Sequence, residues 1–333
     1  MGQWMDALLI VVPFFTVALL GKRVVAWCTS HGLVANHDDR RSHTTPTPHG
    51  GGVVLVVLGV PLGLWAVWAF QLPYGWFLTV LLLASVMVAV VGFLDDKHEI
   101  SARWRLAVHL LAVAVGIGFL PPMFDFMPLW LDKLILLLAW GWFVNLFNFM
   151  DGADGLASSE AAFMTLAVAL FVPVFKPLAL PLAGLSLGFL TVNWQPAKVF
   201  LGDVGSTWLG YVLGGLLLVA CADDTWTLAW PLFTCTLVFT ADATYTLLIQ
   251  RLAQGHKPWI PHREFWFHRV LRLGYSHAQL AWRVAALNLL LLVIAIIGWA
   301  ADAGIFTLLA GMLAVAVVAW RITSMEGVVY GKR

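Results

Sequence analysis

The sequence predicts an all-α protein, a polytopic bundle of about eleven transmembrane helices. Composition is the first reason, because 61% of the 333 residues are hydrophobic and 11% are charged, a balance typical of membrane proteins. The second is a series of apolar runs, each near the roughly 20 residues that cross a bilayer. The third is the distribution of basic residues among the connections. We therefore expect a single integral membrane domain over residues 1–333.

The apolar runs give the positions of the helices. They are placed at residues 4–21, 52–70, 76–94, 105–120, 130–147, 161–175, 177–193, 207–221, 227–250, 281–300 and 303–320. Only Lys176 and Pro177 separate the sixth run from the seventh. No basic stretch precedes the first run, so it predicts a retained helix and not a removable signal peptide.

An odd number of spans places the two termini on opposite sides. All lysines and arginines except Lys133 and Lys176 then fall on one side, which the positive-inside rule assigns to the cytoplasm. The N-terminus is expected outside and the C-terminus in the cytoplasm. Nearly all polar motifs lie in the cytoplasmic connections, at 22–51, 93–104, 146–160, 194–206 and 251–280.

Charge and cysteine content exclude several classes. A net charge of +1 gives no electrostatic footprint for nucleic acid. The three cysteines, Cys28, Cys221 and Cys235, are odd in number and show no CxxC spacing. Disulfide and zinc sites are therefore not expected.

Acidic motifs follow or precede three of the predicted helices. "VGFLDDKHEIS" places Asp95 and Asp96 at a helix end, where a solvated end competes with a cation site. "FLGDVGSTWLG" brings Asp203 between glycines at a helix start, where it forms an N-cap or presents a carboxylate and backbone donors to a metal and phosphate.

The third motif, "NLFNFMDGADGLASSE", repeats a polar residue at every third position as a helix leaves the membrane. The repeat comprises Asn145, Asn148, Asp151 and Asp154. A helix C-cap would account for one glycine and one asparagine, but not for the whole run. Gly152 and Gly155 allow tight backbone geometry or close approach of a ligand.

Convergence of these carboxylates on one membrane face would require a counter-charge. Carboxylates without clustered His or Cys suit Mg²⁺, with Mn²⁺ as an alternative, and nearby basic loops are natural phosphate partners. The residues indicate nucleotide chemistry at the membrane surface. Asp242 is separate, because it lies within the ninth apolar run, where it is either functional or a structural link to a neighbouring helix.

Several motifs occur in a fixed order along residues 35–280. They are "RRSHTTPTPHGGG", "GFLDDKHEIS", "NLFNFMDGADGLA", "NWQPAKVFLGDVGS", "DATYTLLIQR" and "HREFWFHRVLRLGYSH". The set resembles the polyprenyl-phosphate N-acetylhexosamine-1-phosphate transferases. The resemblance implies transfer of a sugar-1-phosphate from a UDP-N-acetylhexosamine to a polyprenyl phosphate in the membrane, with release of UMP and dependence on Mg²⁺. It also implies a bacterial inner-membrane enzyme with a cytoplasmic active site.

The resemblance implies roles for individual positions. Asp203 matches a magnesium ligand, assisted by Asp96, and Asp95 matches the base that acts on the lipid phosphate. The expected catalytic residues are Asp95, Asp96, Asp151 and His268. The expected substrate-binding residues are Asn148, Gly152, Asp154, Asn193, Phe200, Arg41, His262, Arg263 and Arg269.

The sequence departs from the family pattern in one cytoplasmic loop. The family commonly carries His-x-His-His there, whereas this chain reads Phe265, Trp266, Phe267 and His268. The residues after Asp96 resemble the simple-sugar branch, closest to O-antigen initiating enzymes that use N-acetylglucosamine or 6-deoxy relatives such as N-acetylfucosamine and N-acetylquinovosamine, and not the muramyl-peptide branch. A transporter, a lipid flippase and a non-catalytic scaffold are the alternatives, and homodimerisation is left open.

Overall fold

The computed structural model describes residues 2–33, 47–98, 100–251, 254–255 and 264–330. Over these residues the chain is helical and forms no strand, which confirms the predicted all-α class. The α-helices in order are α1 (Gln3–Ser30), α2 (Val53–Ala69), α3 (Gly75–His98), α4 (Ala102–Ile117), α5 (Leu129–Phe149), α6 (Leu156–Phe171), α7 (Lys176–Asn193), α8 (Gly202–Ala220), α9 (Thr225–Thr234), α10 (Leu237–Thr244), α11 (Trp266–Arg272), α12 (His277–Ala300) and α13 (Ile305–Tyr330).

Each of the eleven predicted segments coincides with a helix or, for the ninth, with the pair α9 and α10. Within the described ranges, seven helices are long and apolar enough to cross a membrane, or eight if that bent pair is one span. The helices α2, α4 and α6 have only 17, 16 and 16 residues, so length alone does not establish that they cross. The protein is a multi-pass membrane protein, while eleven spans and the sides of the termini stay predictions.

Helix α8 is the centre of the bundle. Its most apolar stretch is 94% buried within the protein, and it packs against α3 on one side and α5 on the other. Glycines make this close packing possible: a Cβ at Gly214 would lie 2.8 Å from Trp140 Nε1, and one at Gly210 would lie 2.9 Å from Phe147 Cβ. Lipid therefore has little access to α8, so the site at its N-terminus is surrounded by protein.

Buried aromatic residues around α8 keep their polar atoms hydrogen-bonded. Trp140 Nε1 donates to the Tyr211 carbonyl at 2.9 Å, and Tyr211 donates its hydroxyl to the Ala112 carbonyl at 2.9 Å. Trp208 Nε1 donates to Ser85 Oγ at 2.9 Å. Unpaired polar groups are costly in an apolar interior. These bonds allow large aromatic side chains to link α3, α4, α5 and α8.

The ninth predicted segment is bent by 75° between α9 and α10. Pro231 lies inside α9 and removes one backbone donor. Thr236 Oγ1 donates to the Phe233 carbonyl at 2.9 Å, and Thr240 Oγ1 donates to the Thr236 carbonyl at 3.0 Å, so side chains satisfy carbonyls at the break. Beyond α10 the chain continues as a π-helix over Tyr245–Arg251. The bend carries Asp242 towards α11.

Candidate active site

The ends of α3, α4, α5 and α8 meet at one end of the bundle and bring predicted site residues together. The guanidinium of Arg105, in the first turn of α4, joins two of the aspartates. Its Nη1 contacts Asp95 Oδ2 and lies 2.5 Å from Asp203 Oδ2. Since one nitrogen touches both side chains, the two carboxylates face a single position between them. Arg105 supplies a positive charge that offsets part of their mutual repulsion.

Asp96 directs both of its carboxylate oxygens to the N-terminus of α8. Its Oδ1 accepts the Asp203 N–H at 2.9 Å, and its Oδ2 accepts the Val204 N–H at 3.1 Å. Free N–H groups and the helix dipole make a helix N-terminus favourable for a carboxylate. Gly202 has φ +70°, and a Cβ there would lie 2.5 Å from Asp96 Oδ2, so glycine is needed for this contact. Asp96 therefore fixes Asp203 relative to α3, and its predicted metal-binding and catalytic roles stay predictions.

Asn148 reaches Asp203 from the end of α5. Its Nδ2 donates to Asp203 Oδ1 at 3.1 Å and to Ser206 Oγ at 2.9 Å. Ser206 Oγ in turn donates to the Gly202 carbonyl at 2.9 Å. Asn148 therefore lines the acidic cluster and holds the Asp203 side chain in one orientation, while its predicted substrate-binding role stays a prediction.

Asp151 and Gly152 lie where the chain leaves α5, beside α11. A Cβ at Gly152 would lie 2.6 Å from Phe267 Cζ and 3.3 Å from His268 Nε2. The absence of a side chain at Gly152 thus lets α11 bring Phe267 and His268 close to this glycine, which follows Asp151 in the chain. Burial raises the pKa of Asp151 well above its usual range, and the carboxylates of Asp203, Asp96 and Asp154 raise it further.

The raised pKa of Asp151 predicts how stability changes with pH. A carboxyl with a raised folded-state pKa stabilises fully below its unfolded pKa of about 3.9, and that contribution is lost as pH rises through the folded pKa. Asp151→Asn carries no such charge. We expect the melting temperature of the wild type in detergent without divalent cations to fall relative to that of Asp151→Asn between pH 5 and pH 8. Parallel curves for the two proteins would contradict this.

Two of the expected substrate-binding residues, Asp154 and Asn193, use their polar atoms within the protein. Asp154 Oδ2 accepts the Ala197 N–H at 3.1 Å. Asn193 Oδ1 accepts the Gly155 N–H at 3.2 Å, and its Nδ2 donates to the Val199 carbonyl at 3.0 Å. Both side chains are buried. They connect the loop after α5 to the loop before α8, so their side chains order these loops, and direct contact with a nucleotide stays a prediction.

Of the other predicted substrate-binding residues, Phe200 also lies in the loop before α8. Its backbone N–H donates to the Pro48 carbonyl, and its carbonyl accepts the Gly51 N–H, both at 2.9 Å. Arg269 is turned towards α13, where its Nε donates to Glu326 Oε2 at 2.9 Å. Arg41, His262 and Arg263 lie outside the described residues.

An apolar groove of about 380 Å³ opens beside the acidic cluster. Arg105, Asn148 and Asp203 line its polar end, and His109, Asn145 and Thr207 are further polar residues in its wall. Its other lining residues include Leu106, Leu110, Leu138, Trp142, Phe149 and Leu247. The groove therefore joins a charged site to a surface with the chemistry of a hydrocarbon chain.

The acidic cluster fits a divalent cation that takes further ligands from a substrate. Within the described ranges, no group of three or more His, Cys, Asp or Glu side chains is arranged to hold a metal ion. Asp95 and Asp203 nevertheless share one cationic nitrogen of Arg105, and Asn148 lies beside Asp203. Two carboxylates, an amide and phosphate oxygens are the ligands that suit Mg²⁺. The side chains alone do not complete its coordination.

Much of this chain is similar in sequence to known proteins. The model for "Glycosyl transferase family 4" matches residues 78–221, which include the acidic cluster. Phospho-N-acetylmuramoyl-pentapeptide-transferase of Synechococcus sp. (strain JA-2-3B'a(2-13)) is 31% identical over 255 residues, covering 66% of this chain and 71% of that protein. The chain belongs to the polyprenyl-phosphate N-acetylhexosamine-1-phosphate transferase family. The resemblance drawn from the motifs is confirmed, and membership favours a sugar-phosphate transferase over a transporter or scaffold.

The relatives within this transferase family are named after different sugars. Decaprenyl-phosphate N-acetylglucosaminephosphotransferase of Mycolicibacterium smegmatis is 29% identical over 317 residues, covering 83% of this chain and 76% of that protein. A probable undecaprenyl-phosphate N-acetylglucosaminyl 1-phosphate transferase of Bacillus subtilis is 27% identical over 285 residues, covering 80% and 77%. Because similarity extends to the simple-sugar and muramoyl-pentapeptide enzymes alike, it does not select the donor of this chain.

Proposed function

We propose that this transferase moves an N-acetylhexosamine-1-phosphate from a UDP-sugar to polyprenyl phosphate and releases UMP. The observation that carries the proposal is the Asp95–Arg105–Asp203 cluster at the polar end of an apolar groove. A lipid phosphate needs both parts, because its prenyl chain favours an apolar surface and its headgroup favours a charged one. The names of the decaprenyl- and undecaprenyl-phosphate relatives support this acceptor.

The proposed reaction is a displacement at the β-phosphorus of the donor. An oxygen of the lipid phosphate forms the new P–O bond, while the bond from the β-phosphorus to the bridging oxygen breaks. UMP leaves with that oxygen and its electron pair, and the lipid keeps the sugar on a diphosphate. The main tasks are to hold the two phosphates in line and to stabilise their charge.

The residues of the cluster divide these tasks. Asp95 orients the lipid phosphate or accepts its proton. Proton transfer contributes little to the rate acceleration, because phosphate is largely ionised near neutral pH. Asp203, with help from Asp96 or Asp95, would hold Mg²⁺, and the bound ion would supply positive charge to the phosphates. Arg105 donates to phosphate oxygens when its carboxylate partners are engaged elsewhere. We assign Asp151 and His268 to the edge of the cluster, because Asp151 feels the charges of Asp203 and Asp96 and His268 Nε2 lies beside the neighbouring Gly152. There one of them donates a proton to the bridging oxygen that leaves with UMP.

The proposed donor is UDP-N-acetylglucosamine or a 6-deoxy relative. Two relatives with N-acetylglucosamine in their names support the first choice, and the motif after Asp96 supports a simple sugar. We place the reaction on the cytoplasmic face of a bacterial inner membrane, as the first membrane step of O-antigen or other surface polysaccharide synthesis. The predicted location of nearly all lysines and arginines on one side of the membrane supports the cytoplasmic face.

The test measures UMP release by purified protein in detergent with undecaprenyl phosphate and Mg²⁺. We expect release with one UDP-N-acetylhexosamine of a panel that includes the 6-deoxy donors, and none without the lipid. EDTA should abolish release, and added Mg²⁺ should restore it, because the cluster lacks enough side-chain ligands to retain the ion tightly. Folded protein that releases no UMP with any donor would refute the proposal.

A further inference from the structure

The short helix α11 carries His268, and its length and apolar packing alone do not fix its position. It contains seven residues, Trp266–Arg272, and isolated helices of this length are unstable. Its apolar side, with Phe267 and Val270, is buried against the bundle. Apolar packing is non-directional and leaves rotation about the helix axis weakly fixed. Directional bonds are therefore needed to keep His268 beside Gly152.

A buried carboxylate from α10 fixes the first turn of α11. Asp242 Oδ1 accepts the Trp266 N–H at 2.9 Å, and Oδ2 accepts the Phe267 N–H at 3.4 Å. Thr246 donates to the same Oδ1 at 3.1 Å. Asp242 is 3% exposed, so these bonds are shielded from water. This is the structural link that the sequence left as one alternative for Asp242.

The other side of α11 is held by α13, the last helix of the chain. Arg269 directs Nε and Nη2 to Glu326 Oε2, at 2.9 and 2.5 Å. Nη2 also donates to Thr323 Oγ1 at 2.9 Å. Arg272 Nη2 lies 3.5 Å from Glu326 Oε1. Two arginines on successive turns of α11 thus contact one carboxylate, which opposes rotation of the helix.

We infer that Glu326 and Asp242 are positioning residues, which act through α11 to keep His268 at the edge of the acidic cluster. The inference rests on the proposed function. Glu326 lies outside residues 78–221 that match the family model, and its hydrogen bonds within the described residues go to Arg269 and Arg272 of α11. Its influence on catalysis would pass entirely through Arg269 and α11.

The test is a double-mutant cycle between Glu326→Gln and His268→Ala, with UMP release per folded enzyme as the readout. A displacement near 1 Å costs about a hundredfold in rate, so we expect Glu326→Gln to lower kcat at least tenfold with little change in KM. In the His268→Ala background the same substitution should change kcat less than twofold, because the group it positions is gone. A purely structural ion pair would give the same loss in both backgrounds.

Two further variants complete the design. Asp6→Asn is the control, because Asp6 pairs with Lys176 at 2.8 Å between α1 and α7, at the other end of α7 from the site; it should leave kcat unchanged. Thr323→Ala removes one bond to Arg269 and should lower kcat in the same direction as Glu326→Gln but by less. It also provides the test if Glu326→Gln fails to fold.

The possible outcomes separate this inference from the proposed function. A wild type that releases no UMP with any donor refutes the function itself. An active wild type with an unchanged Glu326→Gln or an unchanged His268→Ala refutes only the positioning of His268. A higher KM for the UDP-sugar with unchanged kcat also overturns the inference, because Glu326 would then orient Arg269 as a donor-binding residue.

Discussion

Asp203→Asn should lower kcat/KM for UMP release by about a thousandfold while the protein remains folded. The carboxylate faces Arg105 Nη1 at 2.5 Å and Asn148 Nδ2 at 3.1 Å, at the position where phosphate charge would be neutralised. Loss of metal-based charge stabilisation costs several kcal/mol, and about 4 kcal/mol corresponds to a factor of about 10³. Asparagine preserves the size of the side chain. It also leaves the Asp203 backbone N–H bonded to Asp96.

The matched control for Asp203→Asn is Asp223→Asn. Asp223 accepts a hydrogen bond from Tyr74, and these residues lie at the opposite ends of α8 and α3 from the acidic cluster. The control should elute as a single species on size exclusion and keep wild-type activity. Activity of Asp203→Asn within threefold of wild type, in protein with the same elution profile, would remove Asp203 from the proposed mechanism.

Gly92→Ala should lower turnover about a hundredfold through a change of one methyl group. A Cβ at Gly92 would lie 2.6 Å from the Asp203 carbonyl oxygen and 2.7 Å from the Val204 nitrogen. Alanine in place of glycine favours a helix by about 1 kcal/mol, but overpacking against a backbone costs about 1–3 kcal/mol. Relief of the clash must move α8 away from α3. That movement separates Asp203 from Asp95, and displacements near 1 Å cost about 10² in rate.

Gly75→Ala is the control within the same helix. A Cβ there would have one neighbour, Val67 Cγ1, at an ordinary 3.6 Å. The control should keep wild-type turnover, and thermal unfolding in detergent should show a lower melting temperature for Gly92→Ala than for Gly75→Ala. Equal turnover of the two variants would show that α3 and α8 can separate without disturbing the cluster.

Hydrophobic pattern and motif spacing predicted the helices and the acidic cluster. The apolar runs fix helix positions because each helix must cover its backbone with apolar side chains in a membrane. Asp95 and Asp203 lie at helix ends that the same topology places on one side. The predicted topology therefore puts both at the same membrane face, and the packing of α8 against α3 brings them to one position.

The sequence does not predict which charged side chains pair with each other. The sequence indicates Arg105 only as a basic residue on the cytoplasmic side, although it joins Asp95 to Asp203. Arg269 is predicted to bind substrate, and nothing in the sequence around it indicates its contact with Glu326, 57 residues further along the chain. Such pairings depend on side-chain rotamers and on helix contacts between distant segments. The pattern of hydrophobic residues contains neither, because it records only which face of each helix is apolar.

The enclosure of α8 determines which helices a change in bilayer thickness would act on. A membrane thicker or thinner than the protein's apolar belt acts on helices that touch lipid, which respond by tilting. The lipid-facing helices are chiefly α1 and α13, whose most apolar stretches are 28% and 22% buried, against 94% for α8. A change in the acyl-chain length of the lipid would therefore affect the position of Asp203 only indirectly. The same change would affect α11, the helix that carries His268, much more directly, because Glu326 on α13 contacts α11.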